Sequence, residues 1–422
     1  MEQYDVIIAG AGAAGLMAAG VAARAGHRVL VAEKMEKPAR KVRITGKGRC
    51  NLTNMRSEAD FLAKVRANAA FFTPAFRDFD NRAAVAFFER IGVPLTTERG
   101  ERVFPTSGRA WDIADALVAW AREGGAEIAC HTTVRSIDAR DGRIASASVA
   151  DAAGNERTIP VQYAIITTGG LSYPATGSTG DGYLLAHSLG HAIVPVRPSL
   201  VPLECDLPGI EALDGLQLRN VSARIVIDGK TRCEEFGEMD FSSRGLGGAI
   251  ILRLSRQAVD GLIEGRDVRI AVDLKPALSP EQVSDRLARE AEALDRRAQL
   301  SDLLRKLLPR PLIKPVCRAL PISAKLPVGR LTPRDTDSLV RTIKSFGLPV
   351  ADYRPFEEAI VTAGGVDVHD IDPDTLQSRL VRGLYFAGEV LDLDADTGGF
   401  NLQIAFSTGH LAGRLGRIPS NP

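Results

Sequence analysis

Asp5 to Lys34 reads DVIIAGAGAAGLMAAGVAARAGHRVLVAEK, and the order of apolar, glycine and acidic positions in it decides the fold. Val6-Ile7-Ile8-Ala9 is a short apolar run suited to a strand buried on both faces. Gly10, Gly12 and Gly15 follow at G-x-G-x-x-G spacing. The first permits a tight turn out of the strand. The second keeps side-chain atoms away from an approaching pyrophosphate, and the third lets the next helix lie close to the strand. That helix should run through Leu16-Met17-Ala18-Ala19 and stop near Gly26, a residue suited to a left-handed cap. Its N-terminus offers free N–H groups and a positive dipole end to phosphate. A second strand, Arg28–Ala32, ends at Glu33, where a carboxylate accepts from a ribose diol and repels a 2′-phosphate. Strand, turn, helix, strand and acid together predict a dinucleotide site. The uncharged run Val6–Ala23 is too rich in glycine, and lacks the basic flank, for a signal peptide or membrane span.

Composition narrows the rest. The 422 residues suffice for two or three domains. With 53 basic and 52 acidic residues, the chain balance gives no reason to expect nucleic acid or an anionic membrane as partner. Five scattered cysteines form no CxxC, which argues against a disulfide framework, a zinc site and a disulfide-reductase centre, and fits a reducing cytoplasm. His187 and His191 form one histidine pair, too few ligands for a metal, so none is expected.

Outward from the opening stretch comes a basic loop from Lys34 through Lys41 to Arg43, then Ile44–Asn54 with Gly46, Gly48, Arg49, Cys50 and Asn51. Its cations are placed to neutralise a pyrophosphate; Arg49 and Lys47 would favour a thiolate at Cys50, although such a cysteine is more often a small packing residue. Residues 58–92 read as helical with a break near Pro74, Thr96–Pro105 as a strand pair, and Trp111–Glu123 as a helix. Ile128–Ile137 and Arg143–Val149 read as a hairpin turned at Asp141-Gly142. Val161–Thr168 is a strand ending in Thr167-Thr168-Gly169-Gly170, followed by a loop of glycines and hydroxyls that holds Tyr173.

From residue 195 the pattern changes. Ser199–Asp273 alternates in short β segments and suggests a barrel. Ser279–Leu308 is charged and helical, with Ser279 as N-cap and Pro280 at the first helical position. Pro309–Pro333 reads as turns and connectors, Thr336–Phe346 as a helix, and 350–370 as β. The end returns to a strand, Leu384–Phe386, running into Gly388-Glu389. An acidic glycine turn at 392–399 and a helix over 400–415 follow. A helix starting at Gly399, with the Asn401 amide in its first turn, could stabilise negative charge on a flavin pyrimidine ring. This second ligand-facing segment makes FAD a better fit than NAD.

Together GAGAAGLMAA, KVRITGKGRCNLTN, ERVFP, TTGGLSYPATGSTGDGY, TAGGVDV and GLYFAGEVLDLDADTGGFNLQIAFSTG resemble the BaiN-type, aminoacetone-oxidase-like family of bacterial FAD-dependent oxidoreductases, the YhiN-like flavoproteins. The resemblance covers nearly the whole chain. It implies an α/β fold: a Rossmann-like FAD-binding domain, parallel and βαβ, at 1–194 and 347–422. An insert at 195–346 would carry a β-barrel-like part to about 275 and a helical part beyond, with strands near 350–370 possible members. It carries FAD contacts onto Gly10, Gly12, Ala14, Gly15, Glu33, Lys34, Lys41, Arg49, Asn51, Val134, Thr168, Gly169, Gly388, Glu389, Gly399, Asn401 and Leu402. Where the family tends to have Ser-Gly-Pro, this chain has Gly247-Gly248-Ala249, in an insert expected to shape the substrate side.

The expected activity is hydride transfer between flavin N5 and a small organic substrate: reduction of an enone C=C or an imine, or oxidation of an amine. NAD(P)H is a candidate donor. Arg49, Cys50 and Tyr173 are candidate catalytic groups by position alone. A flavoprotein that binds or modifies tRNA and a flavin-binding protein without turnover are the competing classes.

Overall fold

The computed structural model describes residues 3–320 and 322–415. Two units divide the chain. One comprises the chain up to Pro198 and from Ile360 onward, and the other is Ser199–Ala359.

The first unit is built on a five-stranded parallel sheet. Its spatial order is Leu384–Phe386, Tyr163–Ile166, Val6–Ala9, Val29–Ala32, Glu127–Ala129. These strands are short and apolar because helices or loops cover both faces. The chain moves from the central strand Val6–Ala9 to one side first and returns to the other side later, so the central strand is a switch point. Register aligns Phe386, Ile166, Ala9, Ala32 and Ala129 in one row. All five strands therefore end level, and the residues after them emerge along one edge.

Two helices, Ala13–Arg24 and Phe400–Gly413, are apolar nearly all round and buried. They lie against each other through small residues. A Cβ on Gly409 would stand 2.4 Å from the Ala14 carbonyl oxygen, and one on Gly413 would stand 2.6 Å from that of Ala18. On another side Trp120, from the helix Ala110–Glu123, fills the space above Gly20, where a Cβ would be 2.1 Å from the ring. Phe61 packs edge-on against Phe400 at 4.8 Å and at a 32° tilt against Phe76 at 4.5 Å, which anchors the start of the C-terminal helix. The predicted hairpin forms between Thr133–Arg140 and Arg143–Ala150 with Asp141 and Gly142 both left-handed, but Ile128 is not in its first arm: it pairs with Val31 in the parallel strand Glu127–Ala129. The break in the helical stretch is not at Pro74. Pro74 lies inside the helix Ala69–Asp78, and the chain leaves the helix at Phe79 before restarting at Asn81 under an Asp80 cap.

The second unit contains a closed six-stranded barrel, in order Leu203–Cys205, Gly245–Gly247, Lys230–Phe241, Gln217–Ile227, Val268–Asp273, Phe346–Tyr353. Its long hairpin turns at Asp228-Gly229, again both left-handed. Phe346–Tyr353 pairs with strands on both sides and closes the barrel. Residues 347–359 thus lie in this unit rather than in the returning segment, and the first crossing comes after Pro198 rather than at 194. Helix Pro280–Glu292 starts with a full capping box between Ser279 and Gln282. It ends at Ala293, and a separate helix, Leu300–Leu304, follows. The proline-rich stretch is not only connectors. It holds a ten-residue helix, Arg310–Ala319, because Pro311 sits in the first turn, where no N–H is needed, and Pro315 is buried inside it.

Candidate functional site

Along the level edge of the sheet, the three glycines divide their work. Gly10 has φ +100°, and a Cβ there would lie 2.8 Å from the Thr167 carbonyl oxygen. A Cβ on Gly15 would lie 2.0 Å from the Gly10 carbonyl oxygen, so only glycine lets the helix start this close to the strand. Around Gly12 nothing lies within 4 Å of the Cβ position. The open side of the turn is therefore at Gly12, where no side chain caps the helix Ala13–Arg24 and its first N–H groups stay available. This is the cradle that a phosphate group needs.

Glu33 is buried at the end of the second strand. Its carboxylate accepts from the Ala11 N–H at 2.8 Å and from the Met35 N–H at 2.9 Å. Burial raises its pKa above the ordinary carboxylate value, and the two N–H donors oppose that shift. Glu33 thus braces the glycine turn, and each oxygen keeps a further lone pair.

Thr167 leaves the strand Tyr163–Ile166 and donates toward the Ala9 and Gly10 carbonyls, both at 2.9 Å. Thr168 borders Gly182, and Gly169 is left-handed beside Ser178. Beyond them Glu389 gathers partners from distant parts of the sequence. It accepts from Lys41 Nζ at 2.6 Å, Ser172 Oγ at 2.7 Å and the Thr362 N–H at 2.8 Å. Lys41 also donates to Ser172 at 2.7 Å, and Thr362 Oγ1 accepts from the Leu171 and Ser172 N–H groups. Ser172 and Thr362 are fully buried and absent from the sequence-derived site. Each lies inside a quoted motif, TTGGLSYP or TAGG, beside glycines, which is the signal that could have found them. Tyr183 was missed as well. Its hydroxyl is buried without a hydrogen-bond partner, 3.2 Å from where a Cβ on Gly170 would be, and burial pushes its pKa well above that of an ordinary phenol.

The two most specific motifs meet. Asn54 Nδ2 donates to the Gly398 carbonyl at 3.0 Å, and Thr53 Oγ1 bonds Gln403 Oε1 at 2.6 Å. A Cβ on Gly399 would lie 2.4 Å from the Thr53 carbonyl oxygen. The C-terminal helix starts at Gly399 with φ +98° and no side-chain cap, so its first N–H groups are available too. Next to this contact, Asn51 has a buried Oδ1 with no partner among the described residues. A ligand donor would satisfy it.

The structure decides between the two readings of Cys50, pairs the cations of the basic loop, and places Arg49 and Asn401. Cys50 is wholly buried, and its thiol is pushed up to about 12, so it is no thiolate despite its basic neighbours. Arg49 is exposed, pairs with Glu98 and lies over the Phe104 ring at 4.4 Å. The basic loop is not a free cationic cradle. Lys34 pairs with Asp181 and Lys41 with Glu389, both at 2.6 Å, and Arg43 pairs with Asp115 at 2.7 Å. Asn401 turns its side chain away to the acidic turn. Its Oδ1 accepts from the Ala395 N–H and its Nδ2 donates to the Ala395 carbonyl, both at 2.9 Å. Leu402 is half-buried in the same first helical turn, and Val134 is buried in the strand Thr133–Arg140. Tyr173 is half-buried with left-handed backbone, its ring 6.0 Å from Lys41 Nζ. His191 is buried and bonds Ser378 at 2.9 Å, beyond the end of the helix that carries His187.

Solved structures share the fold. A 3-ketosteroid-Δ4-(5α)-dehydrogenase from Rhodococcus jostii RHA1 superposes with TM-score 0.54 at 15% identity, over 97% of this chain and 96% of that one. A 3-ketosteroid Δ1-dehydrogenase from Sterolibacterium denitrificans gives 0.54 at 14%, over 98% and 99%. The chain has the fold of these enzymes. Residues 4–415 match the family described as HI0933-like protein Rossmann domain, and the chain belongs to that family. Among its relatives are a 3-dehydro-bile acid Δ(4,6)-reductase from Clostridium scindens, 31% identical over 96% of this chain and 97% of that protein, and a ribosomal RNA dihydrouridine synthase from Escherichia coli, 30% identical over 97% and 96%. The protein is a flavin-dependent oxidoreductase. Among the described residues no helix is long and apolar enough to cross a membrane.

Proposed function

We propose that this protein reduces a carbon–carbon double bond conjugated to a carbonyl, with FAD as its hydride carrier. The observation that carries the reading is a shared bond change. The two relatives are named for Δ(4,6) reduction of a 3-dehydro bile acid and for making dihydrouridine in ribosomal RNA. Each name describes saturation of a C=C in conjugation with a ring carbonyl, and each protein aligns along nearly its whole length. The acceptor class is therefore a cyclic enone or a uracil ring.

The residues fit FAD, which supplies hydride transfer at N5. The open turn at Gly10–Ala14 and the uncapped helix behind it would hold the pyrophosphate. Glu33, with one lone pair to spare on each oxygen, would accept from the ribose diol. Asn51 Oδ1 would accept from a flavin N–H. The backbone N–H groups after Gly399, including that of Leu402, would stabilise charge on the pyrimidine ring. Lys41, Gly388 and Glu389, tied to Ser172 and Thr362, would hold that side of the site rigid, with Lys34, Val134, Thr168 and Gly169 lining it.

Of the three catalytic candidates, Tyr173 is retained as proton donor. Cys50 is buried, and Arg49 is a paired guanidinium with no proton to give at neutral pH. NAD(P)H is the proposed electron source. The test is anaerobic: protein reduced with dithionite is mixed with 3-oxo-Δ4 steroids, simple cyclic enones, uridine-rich RNA or imines. Return of the oxidised flavin band with an enone or uracil substrate is expected. Reoxidation only by imines, or reduction of oxidised enzyme by amines alone, overturns the reading. NADH and NADPH are compared as donors in the same apparatus.

A further inference from the structure

The near-neutral balance of the chain conceals one segregated stretch. From Leu303 to Arg334 there are eight basic residues and no acidic one, in a chain with 52 acidic residues. All eight are exposed. Three of them, Arg310, Lys314 and Arg318, recur every fourth residue of the helix Arg310–Ala319, so they lie in line on one face about 6 Å apart. The opposite face, Leu312, Ile313, Val316 and Cys317, is buried in the core of the second unit.

These cations differ from those of the first unit. Lys34, Lys41, Arg43 and Arg49 each have a carboxylate partner. Among the described residues, Arg310 and Lys314 have no ion pair, and Arg318 donates only to the Pro208 carbonyl at 2.9 Å. Like charges four residues apart on a helix repel by a few tenths of a kcal/mol per pair. A row of them with no internal carboxylate is relieved by an external polyanion.

We propose that this helix face docks the phosphate backbone of RNA. Successive charges along one axis match the successive phosphates of a strand. An anionic membrane is disfavoured because the apolar face of the helix is already buried and cannot enter lipid. The choice of RNA over DNA rests on the reading above, in which uracil is one acceptor.

The experiment measures anisotropy of a labelled, uridine-rich single-stranded RNA with the flavin-loaded protein over a range of salt. Arg310→Glu with Lys314→Glu keeps the bond from Arg318 to Pro208, and the milder Lys314→Gln guards against misfolding. The wild type should bind more tightly as salt falls. Each phosphate contact contributes about 0.7 to the slope of log affinity against log salt for a single strand, so the double variant should be shallower by about 1.4 and at least about tenfold weaker at low salt. Lys314→Gln should fall in between. Flavin content and turnover of a small enone should be unchanged in both. Equal affinity and slope in all three proteins overturns the proposal, as does binding to vesicles of anionic phospholipid without binding to RNA. Enone turnover without RNA binding sinks this inference alone, whereas RNA binding without turnover of any acceptor sinks the chemical reading alone.

Discussion

The two units reach order by different means. In the first, backbone passes so close to backbone that glycine is obligatory. Gly15 against Gly10, Gly399 against Thr53 and Gly409 against Ala14 all leave less than 2.5 Å to the nearest atom from a Cβ position. In the second unit approach this close occurs at Gly245, where a Cβ would lie 1.9 Å from the Leu203 carbonyl oxygen, and order otherwise comes mainly from alternation and capping. Strand Gln217–Ile227 buries Val221, Ala223, Ile225 and Ile227, and helices start at Ser279 and Thr332 with full capping boxes. Close approach constrains single positions absolutely and so leaves motifs. Periodicity constrains many positions loosely and leaves only a pattern.

The comparison breaks most sharply at the glycines. Gly15→Ala should abolish flavin binding and also destabilise the apoprotein, because the added methyl meets backbone that cannot yield. Overpacking of that kind costs about 3 kcal/mol. Gly12→Asp should abolish the yellow colour as completely yet leave the apoprotein's urea midpoint unchanged, since space around Gly12 is open. Loss of apoprotein stability in the Gly12 variant would mean that the turn is not shaped for a ligand.

Next is Glu389→Gln. It removes the ionic partner of Lys41 and weakens a junction that joins residues 41, 172, 362 and 389. A loss of about 1.5–3 kcal/mol is expected for a bond to a charged group, read from denaturant midpoints, together with weaker FAD retention on dialysis. In the second unit Ser279→Ala should cost only about 1 kcal/mol and leave the flavin spectrum untouched. A changed spectrum would show that the units are not independent in the way this contrast assumes.

The smallest effect concerns pH. Ser378 Oγ accepts from the Leu380 and Val381 N–H groups, so its hydroxyl proton is left for His191 Nε2. Burial lowers the pKa of His191 below its ordinary value of 6.5. For a base lowered on folding, the unfolded chain binds the proton more readily. Stability is therefore full above about 6.5 and declines as pH falls below it. Melting temperatures between pH 7.5 and 5.5 should drop more in the wild type than in His191→Asn, and parallel curves would remove His191 as the cause.

Much of this was legible in the sequence. The opening βαβ, the Asp141-Gly142 turn and the barrel segments follow from local spacing. What was not legible depends on partners far along the chain. The basic loop reads as unpaired because Glu389 lies 348 residues from Lys41 and Asp181 lies 147 from Lys34. Arg49 and Lys47 suggest a thiolate at Cys50 only while its burial is unknown. Asn401 looks ligand-facing until its amide is seen closing the turn at Ala395. The helix Arg310–Ala319 hid behind Pro309, Pro311 and Pro315, and whole-chain charge hid the face it carries.

The contact of Gly409 and Gly413 with Ala14 and Ala18 has a consequence for biosynthesis. Ala13–Arg24 leaves the ribosome well before the helix Phe400–Gly413 that covers it. Synthesis at about 5–20 residues per second separates the two by roughly tens of seconds. Through that interval an alanine-rich helix, charged only at Arg24, with a finished phosphate turn has no partner for one side. The nascent chain must shield it, by a chaperone or by loose collapse, and stable capture of the cofactor waits for the helix Phe400–Gly413.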